Sequence, residues 1–324
     1  MTNFWLNLPK PISALAPMHG VTSFLFRELQ CLIAKPSVTY TEFISADGLT
    51  RVPKKFDNQL RISNAQKPIV AQLFGSNPAA FCTAIKIVKE LGFDGIDINM
   101  GCPALKVVKH GGGGALIGNY PIADKLLTAV ITESHTQDIP ISLKTRVVQN
   151  VKANRDWFNF IADYPVTTVV IHGRFLKQEH SGEVSWDSVK VGAEILKEKG
   201  IIVLSNGGTQ NKNQGIEICK NYNLDGFMIG QAAIGNPYTF ANEEYSAITR
   251  LETLKLITKL LEKDKCNLTM TRVHQFVFLS LKGWPNISTL KQLIAHQSDI
   301  MSVINTLDQY ISQQSQQGVA LQNS

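Results

Sequence analysis

The chain is short of everything that would mark it for export, a membrane or a structural metal. Its five cysteines are scattered over 324 residues, an odd number with no paired spacing. That argues against a disulfide framework and fits a reducing cytosol. There is no CxxC pair and no His/Cys cluster, so no metal site is expected. No apolar run reaches the roughly 18 residues that a membrane helix needs. The opening "MTNFWLNLPKPISALAPM" has no charged region followed by an apolar signal core, which predicts a cytoplasmic protein. Acidic residues are in the minority, 26 Asp and Glu against 32 Lys and Arg, for a net charge of +6. That balance suits a polyanionic partner without demanding one. The basic residues cluster: Arg51, Lys54, Lys55 and Arg61 face only Asp57 within 51–61, Lys106 and Lys109 lie together, and Lys144, Arg146, Lys152 and Arg155 share a stretch free of acids.

What is present is an alternation of short apolar runs with longer helical patterns. Strands are expected at 12–16, 38–43, 68–74, 95–99, 140–144, 167–172, 201–206 and 226–230, and helices near 24–33, 78–91, 121–135, 153–163, 187–199 and 211–222. The strand segments are continuous and β-branched, as parallel strands covered on both faces should be. An open doubly wound sheet competes with a (β/α)₈ TIM barrel. The strand ends decide for the barrel: "APMHG", "TEF", "AQLFG", "NMGCP", "LKTR", "IHGR", "SNGG" and "GQAAIGNP" all finish in polar or small residues. A barrel gathers eight such ends on one face, where active sites lie. Residues 1–243 are read as this barrel. Residues 244–312 form a helical domain, with helices near 251–261, 270–282 and 288–312. The Gln/Ser-rich stretch 313–324 is expected to be a disordered tail.

The strand ends suggest chemistry. Asn206, Gly207 and Gly208 after the seventh strand, with Gly230 after the eighth, match the recurring barrel phosphate site, where bare backbone N–H groups face an anion. Lys144 would point into the barrel mouth and needs a partner, for which the electron-rich edge of a reduced flavin is suitable. Gln72 can offer both a donor and an acceptor to a planar heterocycle. His172 can reach a phosphate or a base. Cys102 stands in a loop, in "DINMGCPALKVVKHGGGGALIG", whereas Cys31, Cys82 and Cys219 fall on helical patterns as core residues and Cys266 lies near a helix end. Position alone leaves open whether Cys102 is an acid or a nucleophile.

Together, "APMHGVTSFLFREL", "TEFISADGL", "VAQLFGSNP", "DINMGCPALKVVKHGGGGALI", "SLKTR", "IHGR", "SNGG" and "GFMIGQAAIGNPYTF" resemble the tRNA-dihydrouridine synthases, in that family's order over roughly 12–240. The resemblance implies an FMN-bearing barrel, NADPH as reductant, tRNA as partner and an RNA-binding helical domain; the chain is expected to be a monomer. It implies that hydride passes from FMN N5 to uracil C6 while Cys102 protonates C5, with the glycine run letting the loop bend and leaving room for substrate. Pro17, Met18 and His19 would line the flavin, Gln72 and Lys144 its ring, and Asn206, Gly207, Gly208, Gly230 and Gln231 its phosphate. Asn99, Arg146 and His172 would position the uracil or the cofactor. The basic clusters become an RNA-binding rim. The chain departs from the family pattern at Ser23, where Asp is usual, at Gly208, where an acidic or polar residue is usual, and at Gln231, where arginine is usual. The last departure predicts weakened FMN binding unless Arg174 or another cation supplies the charge. Competing functions are an FMN barrel that acts on a small molecule and a flavin-poor RNA-binding protein without chemistry.

Overall fold

Along most strands alternate residues enter two different apolar surroundings, the period-2 signature of a sheet buried on both faces, whereas β5 and β6 turn polar residues such as Asp97 and Ser142 inward. In the computed structural model, which describes residues 3–243 and 245–322, the strands are β1 (Ile12–Leu15), β2 (Thr39–Tyr40), β3 (Ile44–Ser45), β4 (Ile69–Phe74), β5 (Gly95–Met100), β6 (Ile141–Arg146), β7 (Thr168–His172), β8 (Ile202–Asn206) and β9 (Gly226–Ile229). All pairings are parallel, in the order β1-β9-β8-β7-β6-β5-β4-β2. A bridge between Ala14 and Val38 closes the ring, with Leu15 N–H donating to Val38 O at 3.0 Å and Val38 N–H to Ser13 O at 3.1 Å. The fold is therefore a TIM barrel and not an open sheet. The second stave, expected as one strand over 38–43, is split into β2 and β3, both paired to β4.

Ile12, Ala14, Val38, Tyr40, Val70, Val170, Ile202, Leu204 and Met228 fill the lumen, and Trp5 plugs its lower end. Their neighbours one residue along, such as Ile96, Ile98, Leu143, Val169, Ile171 and Val203, face the helices instead. Those helices are α1 (Phe24–Ile33), α2 (Ala46–Arg51), α3 (Pro78–Glu90), α4 (Leu105–Val108), α5 (Tyr120–Gln137), α6 (Val151–Ala162), α7 (Trp186–Glu198) and α8 (Lys212–Tyr222). Side-chain caps set several starts: Asn77 accepts from Ala80 N–H ahead of α3, Asn150 from Ala153 N–H ahead of α6, and Asn211 from Gln214 N–H ahead of α8. Cys219 is buried, while Cys31 and Cys82 are only half-buried on their helices.

Four more helices follow: α9 (Ala247–Asp264), α10 (Met270–Ser280), α11 (Ser288–Ala295) and α12 (Ile300–Gln322). Two expectations need correction. The single helical stretch over 288–312 is broken between Ala295 and Ile300, and the stretch expected to be a disordered tail continues α12 through Gln322. Val303, Ile304, Leu307 and Ile311 anchor α12 in the core, and the Gln-rich segment beyond them consists largely of residues that extend a helix readily once it is nucleated. Asn323 and Ser324 lie outside the described residues.

The helical region shares one apolar cluster with the barrel, and polar ties lock the junction. Arg61 makes two hydrogen bonds to Asp264, at 2.8 and 2.6 Å, and lies over the Phe24 ring. Gln275 donates to Gly20 O at 2.7 Å and the buried Trp284 indole to Gly235 O at 2.8 Å. Arg61 is thus engaged in an internal ion pair and is not the free surface cation that its sequence neighbours suggest. Because the Asp264 side chain is 8% exposed, removing its partner leaves a buried charge with, among the described residues, no cation and only the Asn267 amide against it. Arg61→Met is expected to lower stability by about 3 kcal/mol, read as a shifted denaturant midpoint, with the salt dependence of RNA binding unchanged.

Candidate active site

Strand register assembles the site in rows. Gln72 of β4 sits beside Asp97 of β5, and Asp97 beside Ser142 of β6. One step toward the mouth, Asn99 pairs with Lys144. Above them Arg146, His172 and Asn206 follow one another across β6, β7 and β8, with Met228 next on β9. These rows floor a cavity of about 680 Å³, within the range of small-molecule and cofactor sites. Every residue expected in the catalytic, cofactor or uracil site lines it: Pro17, Met18, His19, Gln72, Asn99, Cys102, Lys144, Arg146, His172, Asn206, Gly207, Gly208, Gly230 and Gln231. His19 is exposed at the rim beside Phe43, and Gln231 is exposed at the start of a short turn after Gly230.

Cys102 follows β5 and is held from both sides. Its N–H, at 2.9 Å, and that of Gly101, at 3.1 Å, donate to Asn99 Oδ1. Its carbonyl accepts from Gly114 N–H at 2.9 Å. The glycine run is close-packed here and does not open space for substrate. A Cβ on Gly113 would fall 2.9 Å from Cys102 O, one on Gly112 would fall 3.1 Å from the Gly75 backbone, and one on Gly114 would run into Leu176. Gly111 and Gly113 also hold φ values of +73° and +58°, which other residues rarely adopt. The run bends the chain, as expected, and then presses it against the cysteine loop.

At the opposite end Gly207 (φ +101°) and Gly208 (φ +79°) expose backbone to the cavity. A Cβ on Gly207 would meet His172 at 2.8 Å and lie 3.4 Å from Arg174 Nη1. A cationic side chain therefore stands beside the bare loop. His172 is buried, and its Nε2 has no hydrogen-bond partner.

The charges are arranged around the thiol. Burial raises the Cys102 pKa, opposed by the Ala104 N–H and by the positive charges of Arg146 and Lys144. Burial pushes Lys144 down to about 7, helped by Arg146 and opposed by Asp97 and Cys102. Arg146 is lowered by burial to about 10 and stays cationic near neutrality. Its Nε donates to Gly101 O at 2.7 Å and its Nη1 reaches the carbonyls of Arg174 and Phe175 at 3.3 and 3.4 Å. His172 is driven down by burial and the surrounding cations and is neutral.

Several lining residues escaped the sequence reading: Phe43, Glu179, His180, Gln210 and Lys282. Lys282 lies in the turn just after α10, so the helical region reaches the cavity. Asp97 was hidden inside the expected strand "GIDIN". Its signal was a carboxylate at an inward position of the period-2 pattern.

Residues 14–324 match the family model described as Dihydrouridine synthase (Dus). Over 318 residues the chain is 29% identical to a probable tRNA-dihydrouridine synthase of Staphylococcus epidermidis (strain ATCC 12228), covering 95% of this chain and 96% of that protein. It is also 29% identical over 323 residues to a probable tRNA-dihydrouridine synthase of Staphylococcus aureus (strain COL), covering 96% of each. Probable tRNA-dihydrouridine synthase 2 of Bacillus subtilis (strain 168) is 29% identical over 321 residues, 95% of this chain and 96% of that protein. With a parallel barrel, a cysteine fixed over its mouth and a family match that runs from β1 to the last helix, this chain belongs to the dihydrouridine synthase family.

Proposed function

We propose that this protein reduces a uridine of tRNA to dihydrouridine, using FMN across the barrel mouth, NADPH as reductant and Cys102 as proton donor. The observation that carries the reading is Cys102 itself. It is a partly buried thiol with a raised pKa, on a backbone pinned from two sides, facing a cavity with a bare-glycine loop at its far end. The residues fit a flavin mononucleotide. Gly207 and Gly208 bring bare backbone to the cavity in left-handed conformations that favour glycine, His172, whose buried Nε2 has no hydrogen-bond partner, lines the same cavity, and Lys144 lines it as a cation for an electron-rich ring edge. A reduced flavin, when bound, supplies the hydride for C6 of the uracil. The Cys102 thiol holds the proton for C5. Once that proton has left, the thiolate lies in the field of Arg146 and Lys144, which favour the ionised form. A base stacked within RNA cannot reach this depth, so the target uridine must leave its stack. Nucleoside mass spectrometry of tRNA from a deletion strain tests the reading. Dihydrouridine should disappear and return with the wild-type gene but not with Cys102→Ala; unchanged dihydrouridine in the deletion strain would overturn it.

Charge at the phosphate end comes from Arg174, which compensates for the uncharged Gln231. A hydrogen bond to a charged group exceeds a neutral one by on the order of 1–1.5 kcal/mol, about tenfold in affinity. Arg174→Gln should therefore weaken FMN by about that factor and leave riboflavin, which lacks the phosphate, unaffected. Gln231→Arg should change little alone and restore FMN binding in Arg174→Gln. Flavin fluorescence titrations measure all four proteins; tenfold tightening by Gln231→Arg alone would place the missing charge at Gln231 after all.

A further inference from the structure

Asp97 is fully buried, yet no step of the proposed reaction uses it. Its carboxylate has two side-chain partners: Oδ1 accepts from Ser142 Oγ at 2.7 Å and Oδ2 accepts from Gln72 Nε2 at 2.7 Å. Gln72 Oε1 then accepts from Asn99 Nδ2 at 2.9 Å. Asn99 Oδ1, in turn, accepts the backbone N–H groups of Gly101 and Cys102. A carboxylate can only accept, whereas each amide has one accepting and one donating end. With Asp97 ionised, Gln72 must turn its NH₂ toward it. That leaves the Gln72 oxygen for the Asn99 NH₂, and the Asn99 oxygen for the two backbone N–H groups. Reversing either amide would set donor against donor in a buried site, at a cost that keeps such groups one way round.

We propose that Asp97 is a positioning residue, which sets the orientation of Gln72 and Asn99 and through them the backbone that presents Cys102. The inference rests on Cys102 being the proton donor only for its functional meaning; the chain of hydrogen bonds can be tested without turnover. Two further features agree with it. Burial raises the Asp97 pKa to about 7, opposed by Ser142, Gln72 and Lys144, so the group is ionised, and only accepts, above neutrality, where the test below is read. Tyr40 is its other titratable neighbour, and its pKa is raised by burial and by Asp97, so it remains a phenol and adds no second charge.

The test is alkylation of Cys102 by iodoacetamide in the full chain against pH, with Cys102→Ala as the blank for the other thiols. In Asp97→Leu the amides lose their fixed polarity and the loop loosens. The thiol becomes more accessible and its pKa falls toward the ordinary range. Alkylation at pH 8 should then rise about tenfold for each pH unit by which the thiol becomes more acidic. Asp97→Asn can still accept from Gln72 while its NH₂ meets a rotated Ser142 hydroxyl. It should restore the wild-type profile, which a requirement for charge beside Lys144 would not allow. Should Asp97→Leu fail to fold, Gln72→Met cuts the next link and should give the same faster alkylation. A wild-type profile in Asp97→Leu, or in Gln72→Met, overturns the proposal, and so does an Asp97→Asn profile that matches Asp97→Leu. Uridine reduction at the wild-type rate by Cys102→Ala would instead remove Cys102 from the chemistry and leave these alkylation results to stand on their own.

Discussion

Cys102→Ala should bind FMN and RNA as the wild type does, and reduce uridine about 10²–10⁴-fold more slowly, the range that a positioned general acid supplies. Binding should survive because the loop is held by main-chain groups. The Cys102 N–H to Asn99 and the Cys102 carbonyl from Gly114 are both kept by alanine. The dependence on pH has a definite sign. The thiol is the active form, so the rate falls as pH rises through its pKa. Burial has raised that pKa, so the loss should begin above the ordinary thiol range of about 8.5. Single-turnover reduction of tRNA by the preloaded, reduced protein reads both effects. Wild-type turnover by Cys102→Ala would remove the thiol from the reaction, and a rate that falls already through neutrality would mean that a group other than the thiol, with Lys144 at about 7 the first to test, governs the pH dependence.

The barrel and the location of its site were legible because both depend on local pattern. Apolar strands buried on two faces show in a single sequence, and the polar residues that end them stand within a few positions of each strand. Asp97 was harder to see. Its importance lies in the register of β4, β5 and β6, which brings Gln72 and Ser142 to either side of it, and pairing partners that lie far apart along the chain leave no local mark. Arg61 misled for the same reason. Among neighbouring lysines it looks like one more surface cation, and only the fold places Asp264, about two hundred residues on, against it. The glycine run was read correctly as a bend and incorrectly as open space, because bare backbone permits close packing as readily as it permits a ligand.

RNA binding is expected to collapse with salt. Once Arg61 and Arg146 are assigned to internal contacts, Arg51, Lys54, Lys55, Lys106, Lys109, Lys152 and Arg155 remain as exposed cations on segments that follow β3, β5 and β6. In a barrel these segments leave from the face that carries the cavity, where a polyanion entering the site would pass. Phosphate contacts of this kind position RNA without reading its sequence. Each adds a slope of about −0.9 to log K against log salt on a duplex, so six or more would lower affinity by about 10³-fold or more between 50 and 200 mM. Replacing Lys54, Lys55 and Arg155 together by glutamine should reduce the slope by roughly 2.7, three such contacts, while FMN affinity stays constant because none of the three lines the cavity. Arg61→Met provides the internal contrast, a less stable protein with an unchanged slope. Titrations of transcribed tRNA at several KCl concentrations give the answer directly. A flat line for the wild type, or an unchanged slope in the triple variant, would mean that RNA is held elsewhere, with Lys282 and the faces of α10 and α11 the next surface to test.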